Sequence, residues 1–262
     1  MTEFDSTTKP GESLKSTSDT TSIGPSRNRS FGSKLALLEV VICSGFPTQL
    51  ALALFLSGLG ITGATPDGQL SFTYVIILSL ADTAILLSLI IYFLSTHGES
   101  IRDLVVGVRP VGREAVLGVL LIPLLVLSTI GGLLLIEKIA PALRNVPDNP
   151  LESMLNTPGR AILFGVVAVI AGGIREELQR AFILRRFEQH LCGAWIGLII
   201  FSVAFGLGHY VQGWDAALIT AALGMVWGVL YLMRRTVVAS MVSHAGFNLT
   251  EILLVLTASQ TM

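Results

Sequence analysis

Glu176 and Glu177 stand side by side in the stretch Gly172-Gly173-Ile174-Arg175-Glu176-Glu177-Leu178-Gln179-Arg180, which closes an apolar run from Ala161 to Ile170. Charges in such surroundings are expensive, roughly 2.5–3.5 kcal/mol each on membrane-insertion scales, and persist where they pair or do work. Arg180 lies four residues after Glu176 and three after Glu177, so on a helix it can pair with either. Two imidazoles sit in other apolar segments. His209 follows Phe205 by one turn, beside Gly206 and Gly208, and His244 is followed by Asn248 at a spacing of four. That spacing puts His244 and Asn248 on one helical face, with Ser240 a turn before and Glu251 near the same face. A polar stripe on an apolar helix must face protein or a water-filled cavity.

Two carboxylates, two imidazoles and an amide in a low-dielectric site suit the hydrolysis of a peptide bond. A carboxylate can act as general base on water, with burial tuning it toward neutral pH. An imidazole can share that proton or bind a metal. A second imidazole and an amide can donate hydrogen bonds to the developing oxyanion. Two histidines and a glutamate are also the ligand set of several catalytic zinc sites, with water in the open position. Plainer readings exist for each group. The Glu pair can form ion pairs with Arg175 and Arg180 at a membrane surface, His209 can be an interfacial residue, and His244 with Asn248 can be an interhelical hydrogen-bond pair.

The elements that carry these residues are membrane segments. The chain of 262 residues is 52% hydrophobic and 13% charged, against about 25% charged in soluble domains. Its net charge of −1 gives no pull toward nucleic acid. Cys43 and Cys192 are far apart and form no metal spacing or disulfide framework. Residues 1–33 are rich in Ser and Thr, which predicts a disordered tail without the apolar core of a cleavable signal peptide. Residues 34–262 then form the membrane domain. The expected fold class is all-α, a polytopic helical bundle. Seven apolar segments of about spanning length are expected at 35–58, 72–95, 114–137, 159–183, 194–210, 214–233 and 236–258. The fourth can run on as one helix to about residue 190, and the fifth is short. Basic residues in the tail, after the second segment (Arg102, Arg109, Arg113) and at Arg185, Arg186, Arg234 and Arg235 predict a cytoplasmic N-terminus; Lys138, Arg144 and Arg160 run against the trend. Asp82 and Glu39, inside apolar segments, either line a cavity or pair internally, while His97 and His190 are read as loop or interfacial residues without function.

Glu176-Glu177 followed by an arginine, then Phe205-Gly206-Leu207-Gly208-His209, then His244-Ala245-Gly246-Phe247-Asn248 resemble, in order, the three motifs of the CPBP intramembrane protease family. That family includes the CAAX prenyl endopeptidases of the Ras-converting-enzyme type and the bacterial Abi proteins. The resemblance covers roughly residues 115–258, with the motif core at 159–258. It implies a membrane-embedded endopeptidase in which Glu176 activates water, His209 shares that task, His244 and Asn248 stabilise the oxyanion, and Glu177 is structural support tied to arginine. Members are called metalloproteases and have also been interpreted as metal-free glutamate proteases, so a zinc ion on Glu176, His209 and His244 stays open. The implied partners are the lipid bilayer and a peptide or protein substrate, a prenylated C-terminus being one option, and the implied location is a bacterial plasma membrane.

One departure stands out. The family pattern has three residues between the Glu pair and its arginine, whereas here only Leu178 and Gln179 intervene and Ala181 occupies the expected position. The support for Glu177 then depends on Arg180 reaching it from the neighbouring position. Two rival classes remain. A proton-coupled transporter would use Asp82, Glu176, Glu177 and Glu251 as a relay, although no inverted repeat is found. A non-catalytic, immunity-like membrane protein would carry the same positions as vestiges.

Overall fold

The computed structural model describes residues 26–258 except 148, with side chains from residue 32. The chain forms helices α1 (Ser26–Ile42), α2 (Phe46–Gly58), α3 (Phe72–Thr96), α4 (Ile101–Val105), α5 (Val111–Ile139), α6 (Pro158–Val167), α7 (Glu176–His190), α8 (Ala194–Leu207), α9 (Trp214–Arg234) and α10 (Val238–Ala258). A π-helical stretch, Ala168–Arg175, joins α6 to α7 without a break. No strand forms among the described residues beyond one isolated bridge between Ala64 and Leu70. The protein is an all-α, multi-pass membrane protein.

The expectation of seven spans is matched only in part. Among the described residues, four helices (α3, α5, α9 and α10) are long and apolar enough to cross a membrane, and a fifth span is added if α1 and α2 are counted as one broken element. That pair bends by 42° between Gly32–Ile42 and Phe46–Gly58. Gly45 makes the bend at φ 89°, a left-handed conformation that a side chain would strain. The segment at 159–183 is helical throughout but is divided into α6, the π-turn and α7, and it carries the charges of Arg175–Arg180. The segment at 194–210 gives α8, whose 14 residues reach about 21 Å, short of a hydrocarbon core of about 30 Å. An apolar run shows which residues avoid water; it does not show that they cross a bilayer rather than pack inside one.

The tail expected at 1–33 falls mainly outside the described residues. Its last part, 26–33, lies within α1. The Ser33 hydroxyl donates to the carbonyl of His190 at 2.8 Å, so this end of α1 is docked on the end of α7.

α7 is the axis of the bundle. Ala181, Phe182, Ile183, Leu184 and Phe187 are buried against α1, α3, α8 and α9, and Ile90 and Leu94 of α3 belong to the same apolar cluster. A helix apolar all round belongs in a core, but α7 also buries Glu177, Gln179, Arg180 and Arg186. Each of these needs a partner, and that requirement organises both ends of the helix.

Candidate active site

The π-turn lies immediately before the Glu pair. Insertions of this kind inside α-helices recur at functional sites. Gly172 and Gly173 let it press on α10. A Cβ on Gly172 would collide with Asn248 Nδ2, and one on Gly173 would stand 2.7 Å from the Cβ of Ala245. Asn248 Nδ2 donates to the carbonyl of Ala168 at 3.4 Å. This contact sets the Glu pair against the His244–Asn248 face.

Glu177 is fully buried, and its Oε1 accepts from His244 Nδ1 at 2.8 Å and from Arg180 Nη1. Arg180 therefore pairs with Glu177 from the i+3 position despite the altered spacing. Its guanidinium lies over the rings of Phe205, Phe201 and Trp227, at 4.9, 5.6 and 5.7 Å. These aromatic faces favour a desolvated cation. Ala181, at the position the family pattern gives to arginine, is wholly enclosed in the core.

His244 is held on several sides. Its ring stacks on Trp227 at 3.7 Å and 15°, and meets Phe205 edge-on at 6.2 Å. Trp227 is itself fixed by donating its indole N–H to Ser243 Oγ at 3.1 Å. With Nδ1 donating to the Glu177 carboxylate, Nε2 points the other way and lies 3.8 Å from Glu176 Oε2. That gap exceeds a hydrogen bond.

Glu176 is partly open, its side chain 15% exposed, and its other oxygen lies 3.4 Å from Arg175 Nη2. His209, at the end of α8, donates Nδ1 to the carbonyl of Phe205 at 2.9 Å, which leaves Nε2 as its free acceptor. The Phe205 ring touches both imidazoles, meeting His209 at 4.9 Å.

A cavity of about 270 Å³ opens between α5, α9, α10 and the α5–α6 connection. His209, His244, Asn248 and Glu251 line it, with Phe205 and Trp227 in the wall. Glu176 is not part of that wall. The structure thus gathers two overlapping groups: Glu176, Glu177, Arg180 and His244 in contact, and His209, His244 and Asn248 around one cavity. His244 belongs to both.

Among the described residues, no group of three or more His, Cys, Asp or Glu is arranged to hold a metal.

Two participants escaped the sequence reading. Trp227, the platform under His244, belongs to no motif. Arg175, which entered only the plainer alternative as a surface ion-pair partner, is buried, with Nη1 bonded to Gln179 at 3.0 Å and 3.8 Å from Asp82. Asp82 and Glu39 pair internally, Glu39 with Arg186 and with His97, so His97, itself largely open at the end of α3, contacts a buried carboxylate. His190 contributes its carbonyl, to Ser33.

Residues 158–250 match the family model described as type II CAAX prenyl endopeptidase Rce1-like. No curated protein and no solved structure matches the chain. The matched stretch runs from the start of α6 through the π-turn and the Glu pair to just past Asn248, and over these residues the chain is similar to the CAAX protease family.

Proposed function

We propose that the protein is an intramembrane endopeptidase in which Glu176 and His209 activate a water molecule and His244 and Asn248 hold the oxyanion. The observation that carries this reading is the fixing of His244. Glu177 and Trp227 orient the ring so that Nε2 faces Glu176 while the ring borders the cavity shared with His209 and Asn248. Water attacks the peptide carbonyl carbon, and its proton passes to the Glu176 carboxylate or the free Nε2 of His209. The carbonyl electrons move onto oxygen, where Asn248 Nδ2 and His244 Nε2 donate. His244 can donate from Nε2 while Nδ1 serves Glu177 only when the ring carries both protons, and Glu177 supplies the counter-charge for that form. Collapse of the intermediate breaks the C–N bond, and the stored proton goes to the leaving amine.

The substrate is a peptide or protein segment that reaches the cavity from the bilayer, and a prenylated C-terminus is one form to test. Arg109 bonds the carbonyl of Arg234, and Arg234 pairs with Glu114 at the end that also holds Arg235 and Glu188. The docking of Ser33 on His190 puts the start of α1 at the end of α7 that carries Arg185 and Arg186. This clustering supports a cytoplasmic N-terminus in a cell membrane.

The test is cleavage of a labelled peptide, prenylated or not, by purified protein in detergent with and without a chelator. Glu176→Ala and His209→Ala are each expected to lower kcat by at least about 10²–10⁴-fold, the range for general acid–base groups, with unchanged membrane insertion. Parent-like cleavage by both variants ends the role assignment. Loss of activity with the chelator would bring metal chemistry back.

A further inference from the structure

Glu176 is the carboxylate of the Glu pair to which Arg175, its neighbour on the chain, presents a guanidinium. A buried guanidinium next to a general base poses a problem. Arginine has five donors in a rigid fork and readily closes a bidentate pair with carboxylate. Such a pair would engage both oxygens of Glu176 and draw the group away from His244. The structure shows a different arrangement: Arg175 Nη2 stands 3.4 Å from Glu176 Oε1, and Oε2 faces His244.

The far side of the fork explains it. Arg175 Nη1 donates to Gln179 Oε1 at 3.0 Å and stands 3.8 Å from Asp82 Oδ2. Gln179 is anchored in turn, its Nε2 donating to the carbonyl of Cys43 at 2.7 Å. Asp82, buried in the middle of α3, accepts the Thr48 hydroxyl at 2.5 Å and the Gln49 amide at 3.2 Å, both from α2. The guanidinium is therefore held between two carboxylates, with its position set from α2 and α3. These helices lie outside the family-matched residues 158–250.

We propose that Asp82, acting through Arg175, is a positioning residue for Glu176, so that α2 and α3 form part of the catalytic apparatus. The proposal rests on the role given to Glu176 above. Asp82 touches no reacting atom. It fixes the guanidinium that orients Glu176 through Oε1, keeps it from closing on both oxygens, and so leaves Oε2 directed at His244 and the water.

The experiment measures kcat, KM and the thermal midpoint of the full-length protein in detergent for Asp82→Asn, Arg175→Gln and the double variant, with Glu176→Ala alongside. A misaligned catalytic group loses on the order of tenfold to a hundredfold in rate. Asp82→Asn and Arg175→Gln are each expected to lower kcat by that order with KM changed less than about twofold. The double variant should be no slower than the slower single, because both changes act on one carboxylate. Arg175→Lys keeps the charge without the fork and should restore less than the parent rate. Thr48→Val leaves every charge in place and removes one restraint on Asp82, so it tests the idea even if Asp82→Asn fails to fold; a drop in kcat at the parent midpoint is expected. Rate losses that follow only the folded fraction, a change confined to KM, or losses that multiply in the double variant would overturn the proposal. If Glu176→Ala is inactive and Asp82→Asn and Thr48→Val cleave at the parent rate, the positioning role alone fails. An active Glu176→Ala removes the function assigned to Glu176 and the positioning role with it.

Discussion

α7 carries a cluster of Glu, His and Arg at each end, and the two have nearly the same composition. At its start are Glu176, Glu177, Arg180 and His244; at its far end Arg185 and Arg186 meet Glu39, Glu99 and His97. In the far cluster each carboxylate is in close ionic contact. Arg186 reaches Glu39 and Glu99 at 2.5 Å, Arg185 reaches Glu99 at 2.6 Å, and His97 reaches Glu39 at 2.6 Å. In the near cluster Glu177 is tightly engaged through Oε1 by Arg180 and His244, but Glu176 has its charged neighbours only at 3.4 and 3.8 Å, and His244 borders a cavity. Residue types alone do not separate a structural ion cluster from a reactive one. Slack beside a cavity does, because a group already held by short contacts on every side has no lone pair to offer a substrate.

The sharpest way to break the comparison is to cut each cluster once. Arg186→Met leaves Glu39 and Glu99 without their shared cation. Breaking a buried pair in this way costs about 3–5 kcal/mol, so the thermal midpoint should fall steeply while kcat per folded molecule stays at the parent value. Glu176→Ala should do the reverse, with cleavage lost and the midpoint nearly kept. If Arg186→Met also lowers kcat per folded molecule, the two ends of α7 are not functionally distinct.

Next in size is Asn248→Ala. Loss of one oxyanion donor lowers kcat by about 10²–10³-fold, and KM should move little because the donor serves the charge that develops during reaction. An unchanged kcat would leave Asn248 as a packing residue that donates to the Ala168 carbonyl. Smaller again is Gly172→Ala. The added methyl would collide with Asn248 Nδ2, and overpacking of this kind costs about 1–3 kcal/mol. Stability and kcat should fall together, because the displaced group is the proposed donor. A fall in stability alone would separate the π-turn from the chemistry.

The three motifs were legible because each is a short pattern within one apolar segment, so a four-residue spacing already fixes a face of α10. The continuity of 159–190 was legible for the same reason. The π-turn was not, since a change of helical register leaves no distinct composition in Ala168–Arg175. The span count is matched only in part because apolar composition does not fix helix length: α8, between Gly193 and Gly208, is a short helix that packs one face on α9 and leaves Trp195, Ile199 and Val203 exposed on the other. Asp82 and Glu39 could be seen to need partners, but their identity depends on which helices lie beside α7. Arg180 serves Glu177 from an altered position because Phe201, Phe205 and Trp227, from α8 and α9, enclose its guanidinium there. Such a pocket exists only after packing.

The smallest effect is expected beyond the far cluster, at the exposed pair of Glu188 and Arg235. The two make a bidentate contact at 2.5 and 2.7 Å. The hydrogen bonds from Arg235, with its charge, hold the Glu188 carboxyl below its ordinary value of 4.5 against some opposing burial. A depressed carboxyl adds stability above its unfolded-state pKa and loses it as pH falls through the lower folded-state value. Both side chains are largely solvated, 40% and 54% exposed, so the pair contributes about 0–1 kcal/mol. Glu188→Gln should therefore lower the midpoint slightly near neutral pH, and the difference from the parent should vanish once the pH lies below the folded-state value. Cleavage per folded molecule should not change. A midpoint drop as large as that of Arg186→Met would show that contact distance, rather than burial, decides how much an ion pair at this end of α7 stabilises the fold.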